Sequence, residues 1–365
     1  MRLRRSVSLL AVGLVAVACA GPAATTAPSV APTPIGTHAA ATPTPLQATP
    51  VAATPTAVVS TNPYPSGTPL EATTLPSASA SAVATGSPAV TAPPRPDACA
   101  TDQLVLKNPG RLTLSTDNPA YPPWWGGDPK TQYPTQPSGG VKWKISNPYS
   151  QMGYEGATAY AIATTLGFTP DQVDWLQNTV FEQAFAPGEK KFDFHMAQIS
   201  ITAERAQAVD FSDPYFDSVQ SLVALQGTPI ATATSIADLK QYKLGAAANT
   251  TSYDLIQNAI QPTIAAAVYP DNDTAVTALQ NGSIDGLVVD LGTAFYMRDA
   301  QLTGGTIAGQ FAPSVQTDHV GAVLDKGSAL TPCVDWAIQT MKANGTLQQI
   351  YDTWITTGQD IPLLQ

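Results

Sequence analysis

Apolar positions in the second two thirds of the chain fall into two periods. Ala159, Ile162, Ala163 and Leu166 recur at i, i+3, i+4 and i+7, with Gly167 where a helix stops, and this spacing predicts a helix. Leu330, Val334, Ala337, Ile338 and Met341 repeat the pattern up to Asn344-Gly345. Phe192, Phe194 and Met196 alternate with other residues, which predicts a strand with one buried face running up to Ser200. Leu112 and Leu114 begin a further strand, Lys243 to Ala247 and Gly286 to Val289 read as short strands, and Thr274 to Gln280 reads as a helix. Strands alternating with helices over about 265 residues predict an α/β fold with mainly parallel sheets, on a length sufficient for two lobes with separate cores.

The first part of the chain has a different texture. Arg2, Arg4 and Arg5 precede an uncharged, mostly apolar run from Ser6 to Ala18. That run is shorter than the roughly 20 residues a bilayer span requires, so residues 1–18 read as a secretory signal and not as an anchor helix. Cys19 follows Ala16-Val17-Ala18, an arrangement that resembles a bacterial lipobox and implies a diacylated first mature residue at the outer face of the membrane. An ordinary signal peptide with a stray cysteine is the alternative. Residues 19–97 are dominated by Ala, Thr, Pro, Ser and Val, a composition that cannot bury enough surface to offset its ordering entropy. They read as a disordered tether with a reach on the order of 100 to 200 Å.

At the end of the Phe192 strand stands Ser200-Ile-Thr-Ala-Glu-Arg205, where Thr202 reads as a helix N-cap with Glu204 in the first turn. A strand end meeting a helix start brings free backbone N–H groups, a hydroxyl and a guanidinium together, and Arg grips a carboxylate with two parallel donors. From spacing alone Arg205 is equally a solvated helix charge.

The full segment, Ser-Ile-Thr-Ala-Glu-Arg-Ala-Gln-Ala-Val-Asp-Phe-Ser-Asp-Pro-Tyr-Phe-Asp from 200 to 217, resembles the signature of the extracellular solute-binding proteins, family 3, that serve polar amino-acid ABC importers. Six more pieces follow the order of that family: Leu112-Thr-Leu-Ser-Thr-Asp117, Tyr121-Pro-Pro-Trp124, Gly153-Tyr-Glu-Gly156, Asn249-Thr-Thr-Ser-Tyr-Asp254, Ile284-Asp-Gly-Leu-Val-Val-Asp290 and Gly345-Thr-Leu-Gln-Gln-Ile-Tyr-Asp-Thr-Trp354. The resemblance covers roughly residues 104 to 358. It implies a type II periplasmic-binding-protein-like fold, with two α/β lobes joined by two crossing strands that act as a hinge and a ligand in the cleft between them. Lobe one is then 98–222 plus 321–365, lobe two 228–315, and the crossings fall near Ser221 to Gln226 and Gln316 to Val320.

The same resemblance assigns roles. It makes Arg205 the carboxylate clamp, Ser200 and Thr250 further donors to that carboxylate, and Asp290 the acceptor of the ligand's ammonium. Thr251 opens the helix at Thr251-Ser-Tyr-Asp254, which on spacing reads as a capping box, and Asp290 is on spacing alone a strand-end cap. Asp117 is either a further acceptor or the residue that orders the Asn118-Pro119 turn. Asn249 stands where the family has Gly and tolerates the left-handed turn that Gly would make. Tyr121 and Trp124 supply rings that either pack on the ligand or belong to the core. Gln198, with the aromatic cluster and Trp175 to Thr179, is a candidate reader of the ligand side chain. The stretch 126–150 is either part of the cleft rim or a surface loop.

Composition narrows the rest. The formal charge is −10 for the whole chain, and three more negative once Arg2, Arg4 and Arg5 leave with the signal. An acidic chain without a Lys/Arg cluster argues against nucleic acid or anionic membrane as a partner. With Cys19 lipidated, Cys99 and Cys333 remain and, in an oxidising compartment, read as a disulfide pinning the entry of the folded region to its last long helix; a buried unpaired cysteine pair is the alternative. His38, His195 and His319 are scattered, and there is no metal-ligand spacing and no nucleophilic cysteine left over, so neither a metal nor a cofactor is expected. The expectation is a monomeric, lipid-anchored binding protein that hands an L-amino acid to a membrane permease, with a dehydratase-like secreted enzyme on the same fold as the rival.

Overall fold

The computed structural model describes residues 91–355 and 360–365. The signal segment, Cys19 and the tether up to residue 90 lie outside the described residues. The chain first forms β1 (Leu112–Asp117), α1 (Tyr154–Leu166), β2 (Val173–Asn178), β3 (Phe194–His195), the single turn α2 (Arg205–Ala208) and β4 (Val209–Phe211). It then passes through β5 (Phe216–Ser218) into β6 (Gln220–Leu225), α3 (Ile236–Leu239), β7 (Leu244–Ala247), α4 (Thr251–Leu255), β8 (Ala267–Tyr269), α5 (Asn272–Gln280), β9 (Gly286–Asp290), α6 (Leu291–Tyr296) and β10 (Gly305–Phe311). It returns by β11 (Asp318–Val320) to β12 (Val323–Asp325), α7 (Thr331–Ala343) and α8 (Thr346–Trp354), and ends in β13 (Leu363–Leu364).

Two large sheets result, a five-stranded one in the order β2-β1-β3-β12-β4 and a six-stranded one in the order β13-β10-β6-β9-β7-β8, with β11 and β5 forming a separate two-stranded sheet. The expected α1, α5 and α7 form within a few residues of their periodic stretches; α5 and α7 each carry one apolar stripe onto a sheet, whereas α1 is buried on all sides from Tyr154 to Tyr160. In the first lobe α1 and α7 bury Ile162, Leu166, Val334 and Ile338 against Leu112, Leu114 and Trp175. The second sheet is covered on both faces, and its strands therefore read as continuous apolar runs. Along β6, Leu222 and Ala224 enter one core while Val223 enters the other, and in β9 Val288 faces away from Leu287 and Val289. Gly153 takes φ +87°, and a Cβ there would lie 2.5 Å from the Trp124 carbonyl oxygen, so the turn into α1 requires glycine.

The sheets are mixed and not mainly parallel. β1 pairs in parallel with β2 and β3, and β7 with β8 and β9, but β12 runs antiparallel to β3 and β4, and β6 runs antiparallel to β9 and β10. The reversed strands are those that carry the chain between lobes, so connectivity overrides the local βαβ pattern. The strand before Ser200 is also shorter than expected, since β3 pairs only at Phe194 and His195.

Lobe boundaries differ from the sequence expectation in three places. The antiparallel pair β5 and β11 joins the lobes, with Asp318 opposite Ser218 and Val320 opposite Phe216, so the first crossing precedes Ser221. All of β6 belongs to the second sheet. The C-terminal β13 also joins the second lobe, where Leu364 is buried beside β10, because an apolar tail gains more by covering that edge than by staying solvated. At the other end Pro93 accepts the Trp336 indole N–H at 3.0 Å and Arg95 donates to the Leu166 carbonyl at 2.9 Å, so ordered contacts begin before residue 98.

Cys99 and Cys333 form a disulfide across a sequence separation of 234 residues, tying the segment before β1 to α7. Cross-linking a loop of this length removes chain entropy from the unfolded state, with an upper figure of about 5 kcal/mol. Reduction, or Cys333→Ser, is expected to lower the denaturant midpoint of the folded region markedly, and an unchanged urea curve under reductant would contradict it.

Candidate functional site

The lobes meet around one cavity of about 510 Å³. All nine residues singled out for the ligand, Arg205, Ser200, Thr250, Thr251, Asp290, Asp117, Tyr121, Trp124 and Gln198, line it. They arrive from the ends of β1, β7 and β9, from the loop after β3 and from the turn after β1, which is where open α/β sheets place ligands.

Arg205 is the first residue of α2, and its backbone N–H is capped by the Thr202 hydroxyl at 3.2 Å. Its side chain is only 9 % exposed. One guanidinium N–H donates to the Ser200 carbonyl at 2.8 Å and another to the Asn249 carbonyl of the other lobe at 2.7 Å. The rings of Phe185 and Phe181 lie 4.4 and 5.6 Å from the guanidinium carbon. Among the described residues no carboxylate stands within 4 Å of this charge. Burial pulls the Arg205 pKa down, opposed at longer range by Asp254, Asp318 and Glu204. Asn249 sits at φ +59°, the left-handed turn expected of it, and this aims its carbonyl at Arg205.

Across the cleft, the N-cap of α4 is Thr250 and not Thr251. The Thr250 hydroxyl accepts from the Tyr253 N–H at 3.3 Å and donates to the Ala247 carbonyl at 2.7 Å. The capping box is thus absent in its expected register, and Thr251 is released to face Ser200 at 3.3 Å and Asp318 at 3.1 Å. Asp290 does cap a helix: one oxygen accepts the Thr293 N–H of α6 at 2.9 Å. A carboxylate has about four lone-pair sites, so acceptor capacity remains. Burial raises the Asp290 pKa, with the Thr293 contacts opposing it.

The two rings divide their work. Trp124 is 1 % exposed, stands edge-on to Phe216 and Tyr154 in the core, and donates its indole N–H to the Thr293 hydroxyl of the second lobe at 3.1 Å. Gly292 makes room for it, since a Cβ there would lie 2.5 Å from the indole. Tyr121 is the more accessible ring; its hydroxyl bonds Asp273 and its ring lies 5.5 Å from Tyr296. Trp175 is core, while Asn178 and Thr179 reach the cavity. The stretch 126–150 buttresses the cavity wall: the Lys144 N–H donates to the Asn118 side-chain oxygen and the Asn118 amide donates to the Lys142 carbonyl, each at 2.9 Å.

Gln198 does not offer a free amide. Its backbone N–H donates to Glu155 at 2.7 Å and its side-chain nitrogen bonds the other Glu155 oxygen. Glu155 is fully buried at the start of α1, also accepts the Tyr215 hydroxyl, and was legible only as part of the Gly153-Tyr-Glu-Gly156 motif. Burial pushes its carboxyl up to about 7, against the bonds from Tyr215 and Gln198. Asp117 accepts the Asn178 side-chain amide at 2.8 Å. Its side chain is 30 % exposed on the cavity side, but surrounding protein keeps it from bulk water and pushes its carboxyl up to about 7. Sequence reasoning missed Asp318 on the crossing strand β11, a cavity residue that accepts from Gln220, Thr251 and Gln316. It also missed Phe181 and Phe185. Their i, i+4 spacing was the available signal, though a short aromatic pair reads equally well as core.

Residues 145–357 match the family described as bacterial extracellular solute-binding proteins, family 3. A glutamine-binding ABC transporter protein of Bacillus subtilis is 31 % identical over 168 residues, which are 45 % of this chain and 58 % of that protein. The L-cystine-binding protein of Escherichia coli K12 is 30 % identical over 214 residues, 57 % of this chain and 75 % of that one. Among solved structures, the ancestral amino acid-binding protein AncCDT-1, described as a precursor of cyclohexadienyl dehydratase, superposes with a TM-score of 0.52 at 24 % identity over 68 % of this chain and 96 % of its own. The fold is therefore that of the type II periplasmic amino-acid-binding proteins. The chain belongs to the bacterial extracellular solute-binding proteins, family 3.

The raised carboxyls predict a pH effect with a definite sign. Asp117 and Glu155 hold a proton more tightly in the folded chain than their ordinary values near 4 allow, so they contribute stability that is lost as pH rises through about 7. His195, which burial holds neutral down to about 3, opposes this only below its unfolded value near 6.5. Unfolding free energy in urea is expected to be roughly 1 to 3 kcal/mol greater at pH 6 than at pH 8. Glu155→Gln should flatten that difference, and a parent protein more stable at pH 8 would contradict the assignment.

Proposed function

We propose that the cavity captures an L-amino acid by its zwitterionic head and that the chain delivers it to the permease of an ABC importer. The carrying observation is the buried Arg205 charge, which lines the cavity with no carboxylate of the described residues in salt-bridge range. A buried guanidinium satisfied only by carbonyl dipoles is well matched to an incoming carboxylate, which gives it a countercharge in a site that excludes water. Ser200 donates to the same carboxylate from lobe one, and Thr250 and Thr251 do so from lobe two. Asp290, with acceptor sites to spare, takes the ammonium. Tyr121 packs on the aliphatic part, Trp124 joins the lobes beside it, and Gln198 holds Glu155 under the floor. Because the two poles of the ligand bind opposite lobes, occupancy favours the state in which the lobes touch.

The relatives support this reading. One is named for glutamine and another for L-cystine, both as binding proteins. In the same reading the protein is extracytoplasmic, held at the membrane by lipid on Cys19 after removal of residues 1–18, carried on a tether that ends before Pro93, monomeric, and without a catalytic step. The lobes are 93–219 with 318–355, and 220–317 with the C-terminal strand.

Isothermal titration with a panel of L-amino acids, with product analysis alongside, tests it. At least one amino acid is expected to bind with a dissociation constant of about 1 μM or tighter and to be recovered unchanged. Arg205→Ala should cost about 2 to 5 kcal/mol of that affinity. Parent-like affinity in the variant removes Arg205 from the site, and turnover of the ligand favours the dehydratase-like enzyme.

A further inference from the structure

Phe181 and Phe185 stand against Arg205 yet fall outside the motifs that point to it. They lie in the loop between β2 and β3, where Phe181–Ala184 makes a single tight turn. Phe181 lines the cavity and Phe185 does not, and the two rings meet edge-to-face with centroids 5.2 Å apart. Both rest on a small core of Ala184, Ala197, Ile199, Val209 and Val323, which ties them to the segments that carry Ser200 and Arg205. The loop is fixed further along as well. The buried Lys190 donates its ammonium to the Ala186 carbonyl, and its backbone N–H donates to Asp325 of β12 at 2.6 Å.

A guanidinium carries five N–H donors in one plane. Among the described residues only one donor on each Nη of Arg205 is engaged, to the Ser200 and Asn249 carbonyls. These bonds hold the edge of the group, while the Phe185 and Phe181 rings, 4.4 and 5.6 Å from its central carbon, take its face. The division matters once the cleft opens. Asn249 belongs to lobe two and leaves with it, whereas Ser200, Phe181 and Phe185 stay with Arg205 in lobe one. Of these contacts, the open protein keeps the two rings and a single carbonyl. Filling the small core explains why apolar side chains stand here, and leucine would do that equally well. It does not explain two aromatic rings gathered on a buried charge.

Resting on the amino-acid reading of the cavity, we propose that Phe185, with Phe181 at its edge, is a positioning residue for Arg205 that sets how strongly the site prefers a carboxylate to a neutral head group. The rings hold the guanidinium plane in lobe one, so that its unspent edge donors meet the incoming carboxylate before lobe two arrives. A side chain already fixed loses little freedom on binding, and one that the ligand must order weakens affinity by roughly three- to tenfold. Phe185 lies off the cavity wall, so its effect reaches the ligand only through Arg205. The effect is therefore confined to the carboxylate end of the ligand.

Calorimetric titration of the full chain with the standard L-amino acids, followed by the tightest of them against its own α-carboxamide, tests the clamp. Where the amide is too weak for direct titration, competition against the acid gives its constant. The parent is expected to bind the acid at least about thirtyfold tighter than the amide. Phe185→Leu should weaken the acid roughly three- to tenfold and leave the amide unchanged, so the ratio shrinks by the same factor. Phe185→Tyr, which restores an aromatic face, should restore the ratio. A thermal melt checks that each variant is folded, and Phe185→Met takes the place of Phe185→Leu if that variant is not. A parent-like ratio in the leucine or methionine variant overturns the proposal, as does an equal loss for acid and amide, the signature of a merely structural ring, or a tyrosine variant that behaves like leucine. Absence of binding by every amino acid, or a parent that binds acid and amide alike, defeats the amino-acid reading itself and is distinct from a ring that leaves an existing preference untouched.

Discussion

A single buried guanidinium organises the cavity. Arg205 is pulled out of water by α2 and two phenylalanine rings, and it is held by one carbonyl from each lobe. Carbonyl dipoles orient such a charge but do not neutralise it, which is the ground of the proposed carboxylate capture. The Asn249 carbonyl that makes the second contact depends in turn on a left-handed backbone turn at the end of β7, where the second lobe presents α4.

The lobes are coupled through side chains that serve both the cavity and the hinge. Asp318 lies on the crossing strand β11 and gathers Gln220, Thr251 and Gln316, while Gln220 in turn accepts the Ser252 hydroxyl through its side-chain oxygen. A change in Thr251 contacts therefore reaches the hinge through one hydrogen-bonded step. Trp124 to Thr293 and Tyr121 to Asp273 span the cleft at its other side. Rigid lobes with a few polar links between them suit a protein whose working motion is closure about a hinge.

Much of this was legible before any coordinates. The helices at Ala159 and Leu330 were, and for the second the amphipathic period also reports which face is buried. The strand-to-helix junction that carries Arg205 was too, although its proposed role came from the family resemblance and not from spacing. Less legible were partners far apart in sequence. Glu155 under Gln198 and Asp318 against Thr251 involve residues 43 and 67 positions apart, and no local period encodes such encounters. Gln198 reads as a side-chain sensor because it departs from the small residue common there in the resembling family, and its engagement by Glu155, 43 positions away, left no trace in the sequence.

By itself the sequence determined the α/β class, since that depends on short-range periodicity, and its ordered motifs and cysteine count pointed to Arg205 and to the Cys99–Cys333 pair. The tertiary structure alone decided that the sheets are mixed, that β13 returns to the second lobe, that Thr250 and not Thr251 caps α4, and that a buried histidine stands against Asp117. These are outcomes of strands competing for sheet edges and of buried polar groups finding partners, and both are settled only when distant parts of the chain are brought together.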